Sequence, residues 1–374
     1  MNAAGKKVNN RAGVLVCGAY GMHNLGDDAV LDALLAELRS IDPEMPITVL
    51  SRSPEETARE YGVDALHMFN VPGFLRVMGR CRLYVNGGGS LIQDVTSSRS
   101  LWYYLFTLWA AKRRGCRVMM YGCGIGPVNR PGNRKLASRV IDRCVDAITL
   151  RGSRSREVLE AFGVTKPEIL VTSDPALFLK SAPEAEIDRT MAQLGLEPRG
   201  SYFGLCVRRW PGMEEKAPLF AAAADYAYET YGMQPVLLTV NSDQDEPITQ
   251  QVRSLIHAPC AVASGQLPLE TTIGVIGRMR GVVAMRLHAL IFAASQAVPL
   301  AAVSYDPKVA SFLEDLHQSN CLDFAHFHSA EQLYSLVDAA ACADREALRA
   351  AATRIMELES GNVETARRLL ESEG

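Results

Sequence analysis

Residues 83–121 read LYVNGGGSLIQDVTSSRSLWYYLFTLWAAKRRGCRVMMY, and this stretch decides the fold class. Leu83–Val85 is a short apolar run that opens into Gly87-Gly88-Gly89. Leu101–Lys112 carries apolar residues at helical spacing, and Val118–Tyr121 is β-rich again. Strand, glycine turn, helix, strand is the order of a βαβ unit, which needs a parallel sheet.

The alternation extends both ways. Toward the N-terminus, Gly13–Cys17 and Ile47–Ser51 read as strands, and Asp27–Arg39 and Pro54–Tyr61 as helices. In the first helix Val30, Leu34 and Leu38 share a face, and two acids at its start oppose the positive end of the helix dipole. Toward the C-terminus come a helix over Lys135–Cys144, a strand over Ala147–Leu150 and a helix over Ser153–Phe162. Asp174–Arg199 breaks the rhythm with Pro175, Pro183, Pro198 and a charged middle, and reads as a connection with a helix over Ala185–Leu194. A second series follows, with strands at Tyr202–Val207, Pro235–Val240, Ala261–Ala263, Gly281–Met285 and Leu300–Ser304 and a helix over Leu219–Tyr231. The expected class is α/β, two Rossmann-like domains facing a cleft. The expected boundaries are a flexible tail at 1–12, an N-terminal domain at 13–180 and a linker at 181–200. A C-terminal domain at 201–343 and a terminal helix at 344–374 complete the chain.

Composition narrows the function classes. The chain has 374 residues, a length that predicts two to three domains. Apolar residues make up 48% and charged residues 22%, which suits a globular fold and excludes wholesale disorder. No apolar run reaches the roughly 18 residues of a membrane span, and the polar start reads as no secretory signal. Nine cysteines without a CxxC pair suit reduced thiols in a cytosol. A net charge of −3 argues against general nucleic-acid binding. Of the 39 basic residues only eight are lysine; arginine favours planar anion recognition, although a genome-wide bias gives the same count.

In open parallel sheets, ligands bind beyond the carboxyl ends of the strands. The first such loop is Gly18–Asp28, with three glycines ahead of a helix start that offers N–H groups to an anion. Its spacing is not the dinucleotide GxGxxG, so NAD and FAD are disfavoured. Asn24 and Asp27 are candidates for contacting an acceptor, and Asp27 reads equally as a helix-start acid. The second loop is Asn86–Asp94. Its three glycines read as backbone for a ligand to lie against, so Gly87, Gly88, Gly89 and Ser90 are donor-binding candidates. Asp94 and, beyond Thr96-Ser97-Ser98, Arg99 are acceptor candidates; Asp94 also reads as a cap. Trp102, Tyr103 and Tyr104 are sugar-stacking or core residues. Gly122–Pro127 opens the backbone again, and Arg151 ends a strand.

In the second half, strands end in Arg208-Arg209-Trp210 and in Arg286-Leu287-His288. Extended backbone would carry Arg286 and His288 on one side. Tyr305-Asp306-Pro307-Lys308 reads as a rim or as a turn into a helix. No HExxH, Walker A loop, GxSxG elbow or metal-ligand spacing is present, so no metal is expected.

Together these residues resemble the polysaccharide pyruvyl transferase family, above all the bacterial branch that pyruvylates secondary cell-wall polymers for surface-layer anchoring. The matching pieces are Asn24–Asp28, Gly87–Asp94 with Thr96–Leu101, Gly124–Pro127, Arg151, and Met285–Ala294 with Ser304–Lys308. Asp28 stands where that family usually has glutamate. The resemblance implies the two-domain arrangement of GT-B glycosyltransferases and phosphoenolpyruvate as co-substrate, with no other cofactor. It implies a hexosamine of a lipid-linked saccharide as acceptor and a pyruvate ketal as product. His288 is then the expected general acid. Arg151 and Arg286 are expected to hold the anion, with Leu287 beside it and Arg208 toward the acceptor. A cytoplasmic protein, peripheral at the membrane and free to self-associate, is expected. The competing readings are a nucleotide-sugar glycosyltransferase of the same architecture and a non-catalytic module that binds a phosphorylated ligand.

Overall fold

The computed structural model describes residues 11–372 apart from Thr96, Gly265 and Glu359; the expected tail at 1–12 lies almost wholly outside the described residues. Short apolar runs followed by amphipathic segments form two parallel sheets. The first series is β1 (Val14–Tyr20), α1 (Leu25–Ile41), β2 (Ile47–Ser51), α2 (Pro54–Tyr61), β3 (Asp64–His67), α3 (Val71–Met78) and β4 (Leu83–Gly87). It continues with α4 (Ser98–Arg113), β5 (Arg117–Cys123), α5 (Pro131–Cys144), β6 (Ala147–Leu150), α6 (Ser153–Ala161) and β7 (Glu168–Val171). After a 3₁₀ turn (Pro175–Phe178) come α7 (Glu184–Gln193), β8 (Tyr202–Cys206), α8 (Met213–Tyr231), β9 (Gln234–Leu238), α9 (Ser242–Leu255) and β10 (Ala261–Ala263). The chain ends with α10 (Leu269–Gly277), β11 (Gly281–Ala284), α11 (Leu287–Ser295), β12 (Leu300–Ser304), α12 (Pro307–Asp315), β13 (Cys321–Asp323), α13 (Ala330–Cys342), α14 (Arg345–Met356) and α15 (Ser360–Glu371).

The strand orders are 3-2-1-4-5-6-7 and 10-9-8-11-12-13. In each sheet the chain first builds outward on one side and then returns to the other. The switch points therefore lie between β1 and β4 and between β8 and β11, where loops diverge and leave room for a ligand.

Two units result. Unit 1 holds the chain up to Met22, Leu34–Thr172 and the segment from Ser360 on; unit 2 holds His23–Ala33 and the chain from Ser173 to the start of α15. The expected boundaries differ from these in four places, the first being residues 173–180, which belong to unit 2 and not to the N-terminal domain. The supposed linker at 181–200 contains α7, which buries Ile187, Thr190 and Met191 in unit 2. The supposed single terminal helix is two: α14 buries Leu348, Ala351 and Ala352 in unit 2, whereas α15 packs on β5 and β6 of unit 1. The first turns of α1 belong to unit 2.

Period-two alternation builds the cores. Along β8, Tyr202 and Cys206 enter a core with α10, α11 and α14, while Phe203 and Leu205 enter one with α8 and α13. In unit 1, Leu15, Cys17, Tyr84, Val118, Met120 and Ile148 face α3, α4 and α5 through Phe74, Leu105, Leu108 and Ile141. All nine cysteines are free thiols. No helix among the described residues is long and apolar enough to cross a membrane.

Candidate functional site

The unit 1 candidate forms at its switch point. Gly88 and Gly89 have φ of 67° and 66°, a left-handed pair that turns the chain sharply out of β4. The turn is stitched to the neighbouring loop: Gly88 N–H donates to Tyr121 O at 2.9 Å, and Gly124 N–H donates to Gly89 O at 2.9 Å. Arg151 follows β6, and its Nη2 donates to Ser90 Oγ at 3.2 Å. A Cβ on Gly124 would stand 2.8 Å from Ser90 Oγ and 3.3 Å from the Arg151 guanidinium, so this glycine clears space for both. The structure thus gathers Gly88, Gly89, Ser90 and Arg151. Gly87 has a different role from the one expected. A Cβ there would meet Tyr20 Oη at 2.6 Å, and Tyr20 Oη donates to Gly87 O at 2.8 Å, so Gly87 serves packing. Gly18, in β1 rather than a loop, likewise makes room for the Tyr20 ring.

In unit 2, Arg286 is the N-cap residue of α11 and is 8% exposed. Its Nε donates to Asp245 Oδ2 at 2.6 Å and its Nη2 to Asp245 Oδ1 at 2.8 Å, a bidentate fork. Asp245 is fully buried and also accepts from Arg209 N–H at 3.0 Å. Burial pulls the Arg286 guanidinium down, but the bonds and charge of Asp245 outweigh it and leave the group above its ordinary value. Asp245 fixes how Arg286 points and offsets its charge; Nη1 is the nitrogen that Asp245 does not engage. Beside this pair, Arg208 Nη1 donates to Tyr305 Oη, and the guanidinium lies 4.3 Å from the Tyr305 ring centre. Burial holds Arg208 below its usual value; Tyr305 opposes this, and the Arg286 charge adds to it.

His288 lies in the first turn of α11, where unsatisfied N–H groups and the helix dipole favour an anion. Its side chain is 13% exposed, and its Nε2 stands 3.9 Å from Asp174 Oδ2. That is ion-pair range and longer than a hydrogen bond. Asp174 is buried and accepts from Ala176 N–H at 3.1 Å, which anchors it at the 3₁₀ turn. The backbone of α1 packs against the other side of the imidazole: a Cβ on Gly26 would come within 2.1 Å of His288 Nδ1.

The expected same-side pairing of Arg286 and His288 does not form. β11 ends at Ala284 and Leu287 begins α11, so the two side chains diverge, one to Asp245 and the other to Gly26 and Asp174. Leu287 offers its helix-start backbone, its side chain being buried in the core.

The acceptor candidates are scattered. Asn24 and Asp27 bond each other at the start of α1, where Asn24 O also accepts from Asp27 and Asp28 N–H. Leu25 N–H donates to Val240 O at 3.0 Å, which ties this start to the end of β9. Asp94 is consumed by its own chain, accepting from Asn129 N–H (2.7 Å), Arg130 N–H (3.0 Å) and Asn133 Nδ2 (2.9 Å), and so is not placed for an acceptor. Arg99 is exposed on the first turn of α4. Of the aromatics, Tyr104 is core and Tyr103 donates to Met68 O, while Trp102 remains half exposed. Thr96 lies outside the described residues. Asp306 makes the expected turn into a helix, capping α12 by accepting from Lys308 N–H at 3.1 Å, and Tyr305 lies against Arg208. Asp245 was missed. Its only signal is an acid-rich helix start, Ser242–Asp245, just after a strand, and such acids ordinarily read as caps.

Among solved structures, the chain is similar to HepE from Anabaena in complex with UDP-glucose, at 12% identity over 96% of this chain and 98% of that one, with a TM-score of 0.62. It is also similar to UDP-GlcNAc 2-epimerase from Methanocaldococcus jannaschii, at 9% identity over 92% and 98%, with a TM-score of 0.62. A glycosyltransferase from Rickettsia africae gives 8%, 97%, 100% and 0.60 in the same order. At such identities the likeness is one of fold, the α/β two-domain fold of GT-B glycosyltransferases and epimerases. No curated protein sequence matches the chain. The model of one family, described as polysaccharide pyruvyl transferase, matches residues 24–307, from the α1 start that packs on His288 to the first residue of α12. That span is well over half of the chain, which therefore belongs to the polysaccharide pyruvyl transferase family, a family of transferase enzymes.

Proposed function

We propose that this transferase takes the pyruvyl group from phosphoenolpyruvate and places it on a hexosamine of a lipid-linked cell-wall polysaccharide precursor, as a ketal. One observation carries the reading: an imidazole in the first turn of a helix, beside a buried carboxylate, with an arginine as that helix's N-cap residue. Such a site attracts a compact anion and offers it a proton. His288 gives its proton to the methylene carbon, and the first sugar hydroxyl attacks the central carbon. Phosphate leaves, and the second hydroxyl closes the ketal. Of the two hydroxyl protons, one restores His288 and the other departs with phosphate. Asp174 is a positioning residue whose buried carboxylate stands in ion-pair range of the imidazole Nε2. Arg286 and the α11 N–H groups support the carboxylate or phosphate from unit 2. Arg151, Ser90 and the Gly88-Gly89 turn offer unit 1 donors of the same kind.

The reaction is assigned to the cytoplasmic side of a membrane, where a lipid-linked acceptor is met. No metal or cofactor is invoked, because guanidinium and helix N–H groups supply the positive charge. Turnover is therefore expected to persist in excess EDTA; complete loss, restored by magnesium, would remove that part.

The test is mass spectrometry of a lipid-linked disaccharide pool incubated with the protein and phosphoenolpyruvate. A gain of one pyruvate less one water supports the reading. An unchanged pool, with sugar transferred from a nucleotide-sugar instead, would turn it toward the glycosyltransferase fold relatives. His288→Gln should lower kcat by about 10² to 10⁴, with donor binding falling less. A glutamine variant as fast as wild type would take the acid role away from His288.

A further inference from the structure

From Phe69 to Arg143 the sequence holds thirteen basic residues and two acids, a net of +11 inside a chain whose whole net is −3. The remaining residues therefore carry −14, so positive charge is concentrated in one continuous segment. Both acids of the segment are engaged. Asp94 holds the start of α5, and Asp142 accepts from the N–H groups of Thr165 and Lys166. Within unit 1 this segment supplies α3, α4 and α5, and α4 packs between the other two on one face of the sheet.

The outer side of α4 carries a second, independent signal. Its exposed positions are Arg99, Trp102, Phe106, Trp109 and Arg113, at a 3-4-3-4 spacing that forms one line along the helix. The three aromatics are 50%, 36% and 43% exposed. Phe106 and Trp109 lie ring to ring at 6.1 Å, and the Arg113 guanidinium sits 5.7 Å from the Trp109 ring centre. Phe69, 56% exposed just ahead of α3, meets the edge of the Tyr103 ring of α4 at 5.6 Å, and the Arg52 guanidinium lies 5.7 Å from its ring centre. α4 itself contains no acid.

We infer that the α3–α4–α5 face of unit 1 is a membrane-docking surface that takes a bilayer rich in anionic headgroups, with the α4 aromatics at headgroup depth. Tryptophan and phenylalanine are the side chains that gain by sitting at a membrane interface, and arginines beside them meet lipid phosphates. Three rings along one helix ridge, with Phe106 set against Trp109, suit a fluid apolar boundary better than the splayed, separately stacked bases of a single strand. The proposal deepens the lipid-linked acceptor reading and rests on it for its purpose. Its chemistry stands alone, because vesicles without acceptor suffice to measure it. α4 begins a few residues after the Gly87–Ser90 turn, so docking along this helix would hold the unit 1 candidate site beside the bilayer.

The protein has only three tryptophans, and two are on this face, so intrinsic fluorescence reports the event. The full chain is titrated with vesicles of phosphatidylcholine alone and of phosphatidylcholine with phosphatidylglycerol, without donor or acceptor. Expected are cosedimentation and a blue-shifted emission with the anionic vesicles only, weakening as salt rises. Arg113→Glu and Trp109→Glu should each lower vesicle affinity about tenfold or more, with an unchanged far-UV spectrum and melting temperature. Failure to bind anionic vesicles, or full binding by both variants, would overturn the surface, as would equal retention by phosphatidylcholine alone or preference for a single-stranded oligonucleotide. Vesicle binding without pyruvyl transfer would sink the acceptor reading and leave the surface standing. Transfer to a soluble acceptor without vesicle binding would do the reverse.

Discussion

Gly26 lies outside the left-handed region, so its lack of a side chain answers to space and not to backbone conformation. A methyl group there would overlap the His288 ring. Gly26→Ala is expected to cost about 1–3 kcal/mol, as overpacking of a closed site does, and to lower kcat by more than the stability loss explains. Urea unfolding beside turnover checks this; a variant destabilised but catalytically normal would show that the ring's position is not used. The residue scale also marks where the sequence was readable. Arg151, Arg286 and His288 stand out because strand ends in a parallel sheet are ligand positions. Their partners do not stand out. Asp245 precedes Arg286 by 41 residues, and Asp174 reaches His288 from a proline-rich stretch that resembles a connection. Each is an acid in a turn, and only the fold tells a cap from a counter-charge.

Asp94 shows the same ambiguity at the scale of an element. Its carboxylate gathers Asn129 and Arg130 N–H and the Asn133 side chain at the start of α5, and Asn133 in turn accepts from Trp102 Nε1 of α4. Burial alone would raise its pKa, but the three bonds and the Arg130 charge together hold it below the ordinary value of 3.8. The unfolded chain therefore binds this proton at a higher pH than the folded one. The stabilisation is fully present above the ordinary carboxylate range and is lost as pH falls through the depressed folded value. Asp94→Asn should destabilise the protein by about 1–3 kcal/mol near neutrality, and the gap to wild type should narrow as pH drops below about 4. Denaturant midpoints at several pH values decide it; a gap constant down to acid pH would assign the effect to shape alone. Legibility varies from element to element for similar reasons. The strands of the sheet centres are apolar runs and were readable. β3 and β7 are the two edge strands, with half-exposed patterns; β3 gives no apolar run, and that of β7 is only Ile169-Leu170-Val171. α3 was hidden by Pro72 and Gly73, which sit in its first turn under the Asn70 cap. α11 is buried nearly all round, so it lacks the two-faced periodicity that betrays a surface helix.

At the scale of the whole molecule, sequence order and unit membership part company. The chain passes between units at Met22/His23, within α1, at Thr172/Ser173 and ahead of α15, so neither unit is one continuous stretch. A linear reading places a boundary where composition shifts, and nothing in the composition of residues 344–372 distinguishes α14 from α15. Packing does. In unit 1, α15 buries Asn362, Thr365, Ala366 and Leu369. Thr172 Oγ1 donates to Asn362 Oδ1 at 2.9 Å, and Arg82 Nη2 donates to Ser372 O at 2.9 Å. Arg368 pairs with Glu168 of β7 at 2.6 Å, an exposed contact of minor weight. Ending the chain at Leu358 should therefore weaken the first unit although the cut lies beyond the second. The lost burial of one leucine and one alanine, with the loss of the Thr172–Asn362 hydrogen bond, amounts to about 3–5 kcal/mol. Native-state hydrogen exchange reads this directly. Amides of β5, β6 and β7 should exchange faster in the shortened chain by a factor matching that loss, while those of β8 and β11 keep their protection. Loss of protection centred on β8 and β11 would assign α15 to the second unit; unchanged rates throughout would show that α15 contributes nothing to the first.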